Sequence, residues 1–173
     1  MNIESINIWR SPETHFGVHV ENPDDFQDET ILAEKVYTDA ILSGIAKQGF
    51  NAIWLHGQLH HIIKNKRFHE FAPNEHIHLK ALRNLIARAA KYGIKVMIYM
   101  QPPRSVSVSD TGFWESHADL GGQVINSMGD DGNMFLTKSL CTSHPAVLAY
   151  IRESFADLTG VLPELGGYII ISA

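Results

Sequence analysis

The 173-residue sequence predicts an α/β fold, a partial (β/α)8 barrel of about four parallel strands and three helices. Three observations carry that expectation. Amphipathic helical periodicity alternates with short apolar runs, which implies parallel strands joined by right-handed crossovers. Two of the helices stop on the same Lys-x-Gly signal, with a strand following at once. The long connections all follow strands (10–29, 57–77 and 101–142), whereas the helix-to-strand turns are mostly minimal, as in a barrel whose top-face loops build a site.

The elements follow in order. Ile6-Asn7-Ile8-Trp9 alternates as a first strand. Ile31, Leu32, Val36, Ala40, Ile41 and Ile45 fall at helical spacing, Lys47-Gln48-Gly49 ends that helix, and Phe50–Leu55 reads as the second strand. Leu79, Leu82, Leu85, Ile86 and Ala89 form the next helix face, Lys91-Tyr92-Gly93 stops it, and Ile94–Met100 is the third strand. Ser143 is the expected N-cap of a helix with Pro145 in its first turn and a core face of Val147, Ile151, Phe155 and Leu158. Pro163 and Gly166-Gly167 close that segment, and Tyr168–Ile171 is the fourth strand. A full barrel needs eight strands and typically about 250 residues. Residues 1–173 are therefore expected to be the N-terminal half of a barrel domain, cut after its fourth strand.

Composition excludes several classes. Hydrophobic residues make up 45% and charged residues 19% of the chain, near globular averages, so a packed core rather than disorder is expected. With a net charge of -5 and no Lys/Arg run, nucleic acid is not an expected partner. No apolar stretch approaches the roughly 18 residues of a membrane span. The N-terminus lacks a signal-peptide pattern, which makes the cytoplasm the default location. One cysteine, Cys141, excludes an intrachain disulfide framework, and a small buried residue is its expected role. No G-x-G-x-x-G follows a strand, and no cofactor is expected.

Candidate site residues stand where strands end. After the first strand come Arg10, Ser11 and Glu13; after the second His56, Gln58, His60 and His61; after the third Gln101, Arg104 and Asp110. Arg10 and Arg104 suit gripping a sugar hydroxyl or a carboxylate, or tying their own loops to carbonyls. His56 suits donation to a substrate hydroxyl or proton transfer, or a bond to nearby backbone. Trp114 offers a flat face to a pyranose, or simply packs its loop. The ten histidines invite a metal reading, but His56-x-x-x-His60 has no intervening Glu, and no metal site is expected. His69, His76 and His78 read as solvated. Asp24-Asp25, Asp28-Glu29 and Asp130-Asp131 read as solvated loop or helix-start charge, leaving no carboxylate pair placed for glycosidic cleavage.

The stretch Gly49-Phe50-Asn51-Ala52-Ile53-Trp54-Leu55-His56-Gly57, with Arg10-Ser11-Pro12, Pro103-Arg104, Leu140-Cys141-Thr142-Ser143 and Pro163–Ile171, resembles bacterial glycoside hydrolase-like barrels. These are related to family 20 hexosaminidases and, more distantly, to α-glucuronidases. The resemblance implies a glycoside hydrolase whose Asp-Glu catalytic pair follows the fourth strand, beyond Ala173, so that this stretch alone is inactive. Relatives often carry an acidic residue before the Pro-Arg pair, where this sequence has Pro102. The sugar contacts that remain are Arg10, His56, Gln101 and Arg104. Carbohydrate is then the expected partner, with self-association through exposed barrel edges. Two other readings stay open: a metal-dependent (β/α)-barrel hydrolase using the His-rich second loop, and a non-catalytic carbohydrate-binding or scaffold domain.

Overall fold

The computed structural model describes residues 5–10, 29–101, 106–128 and 134–170. Its centre is a four-stranded parallel sheet in the order β1 (Ile8–Trp9), β2 (Ala52–Gln58), β3 (Lys95–Gln101), β7 (Gly167–Ile170). Each strand pairs with the next in sequence within this sheet, and helices connect them, so the chain is a partial α/β barrel with four parallel strands. The Asn51 side chain sets the start of the sheet. Its Oδ1 accepts from Asn7 N at 2.8 Å, and its Nδ2 donates to Ser5 O at 3.0 Å.

The repeated helix stop is a Schellman turn in both cases. Gly49 (φ 86°) donates to Ala46 O and Phe50 to Ile45 O; Gly93 (φ 69°) donates to Ala90 O and Ile94 to Ala89 O. Only glycine enters this left-handed region without a Cβ penalty, and the chain then turns straight into a strand.

The first helical stretch is two helices rather than one, α1 (Glu29–Val36) and α2 (Asp39–Lys47). Thr38 breaks it: its extended backbone and a hydroxyl accepting from Ile41 N restart the helix as an N-cap. A short α3 (Leu59–Ile62) follows β2 directly, and α4 (Glu75–Ala90) is the long helix before β3. Before the last strand comes α6 (Pro145–Val161). Its N-cap is His144, whose Nδ1 accepts from Ala146 N, and not Ser143. Its buried face is Val147, Tyr150, Ser154 and Leu158, with Ile151 and Phe155 only partly covered.

The connection between β3 and α6 was expected to be a loop. It holds a second sheet, antiparallel, in the order β4 (Val106–Ser107), β6 (Met134–Leu140), β5 (Gly121–Met128), together with α5 (Thr111–Ser116) and a 3-10 turn at Ala118–Leu120. Asp110 caps α5 by accepting from Phe113 N, and Trp114 ties the same segment together by donating to Ser107 O at 2.9 Å. Trp114 therefore packs its own insertion, with the Lys138 ammonium 4.5 Å over its ring.

The core lies between the outer face of the parallel sheet and the helices. Ile53 and Leu55 of β2 and Val96, Ile98 and Met100 of β3 meet Ala33, Leu42, Ile45, Leu82, Leu85 and Ala89. No helix among the described residues is long and apolar enough to cross a membrane.

Candidate functional site

Strand side chains alternate between faces, and paired residues of a parallel sheet share one. The odd positions of β2 (Ile53, Leu55, Gly57) face the helices, so Trp54, His56 and Gln58 face the barrel interior. In register with these stand Met97, Tyr99 and Gln101 of β3. Arg10 continues β1 onto the same inner face.

Four of these groups form a continuous array across three strands. The Arg10 guanidinium lies 3.9 Å over the Trp54 ring. Trp54 meets Tyr99 with ring centroids 5.3 Å apart, and Tyr99 meets His56 at 5.5 Å. His56 is buried, while Trp54 and Tyr99 are half-buried. Arg10 is held from the other side by a bidentate pair, Nη1 to Glu29 Oε1 at 2.9 Å and Nη2 to Glu29 Oε2 at 3.0 Å. Glu29 opens α1 and is 4% exposed, so it is a buried counter-ion and not the solvated helix-start charge expected from the sequence.

The predicted residues thus separate. Arg10 and His56 meet in one array. Gln101 ends β3 opposite Gln58, two register steps beyond the His56–Tyr99 pair. Arg104 lies outside the described residues. His56 stands within β2, which runs on to Gln58, rather than just past the strand. Trp54 and Tyr99 were missed as site residues because both read as ordinary strand formers. The period-two spacing of Trp54, His56 and Gln58 is the signal that places them on one face.

The segments after β2 and β3 pack on each other through a buried aromatic cluster. Phe71 stacks on Phe113 at 5.3 Å, and Phe68 packs against both rings and against Tyr150. His117 Nε2 lies 3.1 Å from Glu70 Oε1. Burial alone would raise the Glu70 carboxyl, but its backbone bond and His117 outweigh that and hold it below the usual range. Arg67 adds a bidentate pair to Glu153 of α6, and Asn65 bonds Ser154. The segment after β2 is therefore fastened to both α5 and α6.

The histidines do not converge. His56 faces Tyr99, whereas buried His60 packs against Phe71 and His61. His78, expected in solvent, is fully buried with Nδ1 2.7 Å from Thr30 Oγ1, while His69 and His76 are exposed. No cluster of three or more His, Cys, Asp or Glu suited to a metal occurs among the described residues, so the metal-dependent alternative finds no support there. Cys141 is half-buried rather than buried. No described Asp or Glu stands at the C-terminal end of a strand of the parallel sheet.

No family model matches the chain, and no match is found among curated proteins. Among solved structures it is similar to a noncanonic maltogenic α-amylase, AmyB, from Thermotoga neapolitana. The TM-score is 0.57 at 12% identity, covering 100% of this chain and 40% of that one. It is also similar to the α-amylase GTA from Geobacillus thermoleovorans, complexed with acarbose. There the TM-score is 0.55 at 17% identity, covering 95% of this chain and 39% of that one. The chain thus spans about two fifths of the structures it matches. At such identities the likeness is one of fold. It overturns the expected kinship with family 20 hexosaminidases, since the likeness falls on α-amylase barrels. The motifs behind that expectation are short. The described part of the closing segment, Pro163–Ile170, is a turn and a short, partly exposed strand, which any βα unit supplies. The fold is a partial α/β barrel similar to part of each of these two structures.

Proposed function

We propose that this chain is the N-terminal half of a glycosidase-type barrel and that its inner face forms one wall of a carbohydrate site. The observation that carries the reading is the Arg10–Trp54–Tyr99–His56 array, which runs from the C-terminal end of β1 across the middle of β2 and β3 on the inner face. Aromatic rings give a pyranose a large contact at low entropic cost, and Arg, His and Gln supply directional bonds to hydroxyls. Arg10, Gln58 and Gln101 stand at the C-terminal strand ends, the side on which barrel enzymes place their chemistry. The catalytic carboxylates are then residues other than those described, because Glu29 is committed to Arg10 and no described acid ends a strand of the parallel sheet. β1 and β7 are the outer strands of the parallel sheet, and Ile170 is 59% exposed, which supports the edges as the place where further barrel strands or a second copy would pair.

The test is a fluorescence titration of the full 173-residue chain with maltotriose and with acarbose. Saturable binding that Trp54→Phe alters in amplitude and His56→Ala weakens is the expected result. No saturable response to any oligosaccharide of a broad panel sinks the reading. Binding that persists without hydrolysis in a longer version carrying four more βα units would favour the non-catalytic carbohydrate-binding domain instead.

A further inference from the structure

The role of Arg10 bears on which sugars the inner face can accept. A guanidinium is the usual receptor for a sugar carboxylate, which it grips through two parallel N–H bonds. In this chain that grip is already taken. Both Nη atoms donate to the two Glu29 oxygens, and the pair is well shielded, with side-chain exposures of 15% for Arg10 and 3% for Glu29. The contact also fixes orientation. Glu29 at the start of α1 holds the guanidinium from one side while the Trp54 ring lies 3.9 Å from its Cζ on the other. An arriving anionic group would meet a neutral ion pair, not a cation. Among the other described residues of this face, Trp54, His56, Gln58, Met97, Tyr99 and Ile169 include no Lys or Arg, and Lys95 stands at the first position of β3, the end of the strand away from Gln101.

We infer that Glu29 is a positioning and specificity-determining residue: it occupies the carboxylate-binding fork of Arg10, sets the guanidinium against Trp54 and restricts the inner face to uncharged sugars. This rests on the reading of that face as a carbohydrate site. Glu29 touches no substrate in this scheme and acts through Arg10.

The experiment compares maltotriose with its C6-oxidised, uronate-bearing counterpart on the wild type, Glu29→Gln and Glu29→Asp, with Trp fluorescence as the readout. The wild type is expected to prefer the neutral trisaccharide by at least about tenfold. Glu29→Gln, which frees the charge of Arg10, is expected to shift that ratio at least tenfold toward the uronate, and Glu29→Asp to restore it. An unchanged ratio in a folded Glu29→Gln overturns the inference. Should Glu29→Gln fold poorly, Glu29→Ala is heated with and without acetate. A rise in Tm with acetate that the wild type lacks reports an open fork and supports the inference; no such rise overturns it. If the wild type binds neither sugar, the carbohydrate reading fails, while the acetate response still decides whether Glu29 fills the fork.

Discussion

Gly57→Ala is a small change with a calculable cost. Gly57 lies in β2 between His56 and Gln58 and faces the helices. A methyl group there would sit 2.8 Å from Ile62 Cδ1, 2.8 Å from Ile98 Cγ2 and 3.5 Å from Thr30 Cγ2. Two of these contacts fall well inside van der Waals separation. Ile62 Cδ1 is a side-chain end and can swing. Ile98 Cγ2 is a β-branch held to one rotamer on a fully buried strand residue, and it cannot move without the backbone. Overpacking of this kind costs about 1–3 kcal/mol. At about 2 kcal/mol, a domain of this size loses roughly 4–8 °C in Tm. Gly44→Ala is the matched control. Nothing lies within 4 Å of the place a methyl group would take at Gly44 in α2, so removing helical glycine is expected to stabilise by about 0.5–1 kcal/mol. Both variants are read by thermal and urea denaturation followed by circular dichroism. A Gly57→Ala protein as stable as the wild type, or the same sign for both variants, refutes the packing argument.

Three other predictions follow from buried or paired groups. Thr30→Val removes the hydroxyl beside His78 Nδ1 and is expected to cost about 1–3 kcal/mol in urea unfolding, because the imidazole stays buried. Arg10→Ala is expected to cost about 3 kcal/mol by stranding Glu29, while the double variant Arg10→Met, Glu29→Leu recovers most of it; additive losses in that cycle would deny the coupling. Hydrogen bonding to Arg67 holds the Glu153 carboxyl below its usual range, so its contribution is present at neutral pH and lost as pH falls through the acid range. The stability gap between wild type and Glu153→Gln should therefore close on acidification and shrink in high salt, and a gap that persists at pH 2–3 would contradict that assignment.

The parallel half of the fold was legible because its signals are local. Lys47-Gln48-Gly49 and Lys91-Tyr92-Gly93 encode the same stop, and each delivers the chain into an apolar strand. The break at Thr38 was less visible, since hydrophobic spacing runs through it and only one hydroxyl marks the restart. The antiparallel sheet escaped notice because β5, Gly121–Met128, is rich in glycine and polar residues and reads as loop. The turn-forming run Gly129–Asn133 between it and β6 was the available clue. Of the site, Arg10 and His56 stood out as polar groups at strand ends. Their partners did not: Glu29 is 19 residues from Arg10, and its burial depends on how α1 lands against β2 and α4. Trp54 and Tyr99 were hidden by the double-sided burial of parallel strands, which removes the alternation that would assign a face.

The insertion between β3 and α6 also bears on the order in which the chain folds. Met97 and Gly167 pair across roughly seventy residues of sequence, whereas the paired Met128 and Met134 are close neighbours in sequence. Closing the longer span carries the larger chain-entropy cost, and hairpins form on a microsecond scale. The β5–β6 hairpin is therefore expected to form first and to shorten the effective span that β7 must bridge. Pulse-labelled amides of β5 and β6 should be protected before those of β7, making the accessory sheet a kinetic stepping stone for the fourth strand of the parallel sheet.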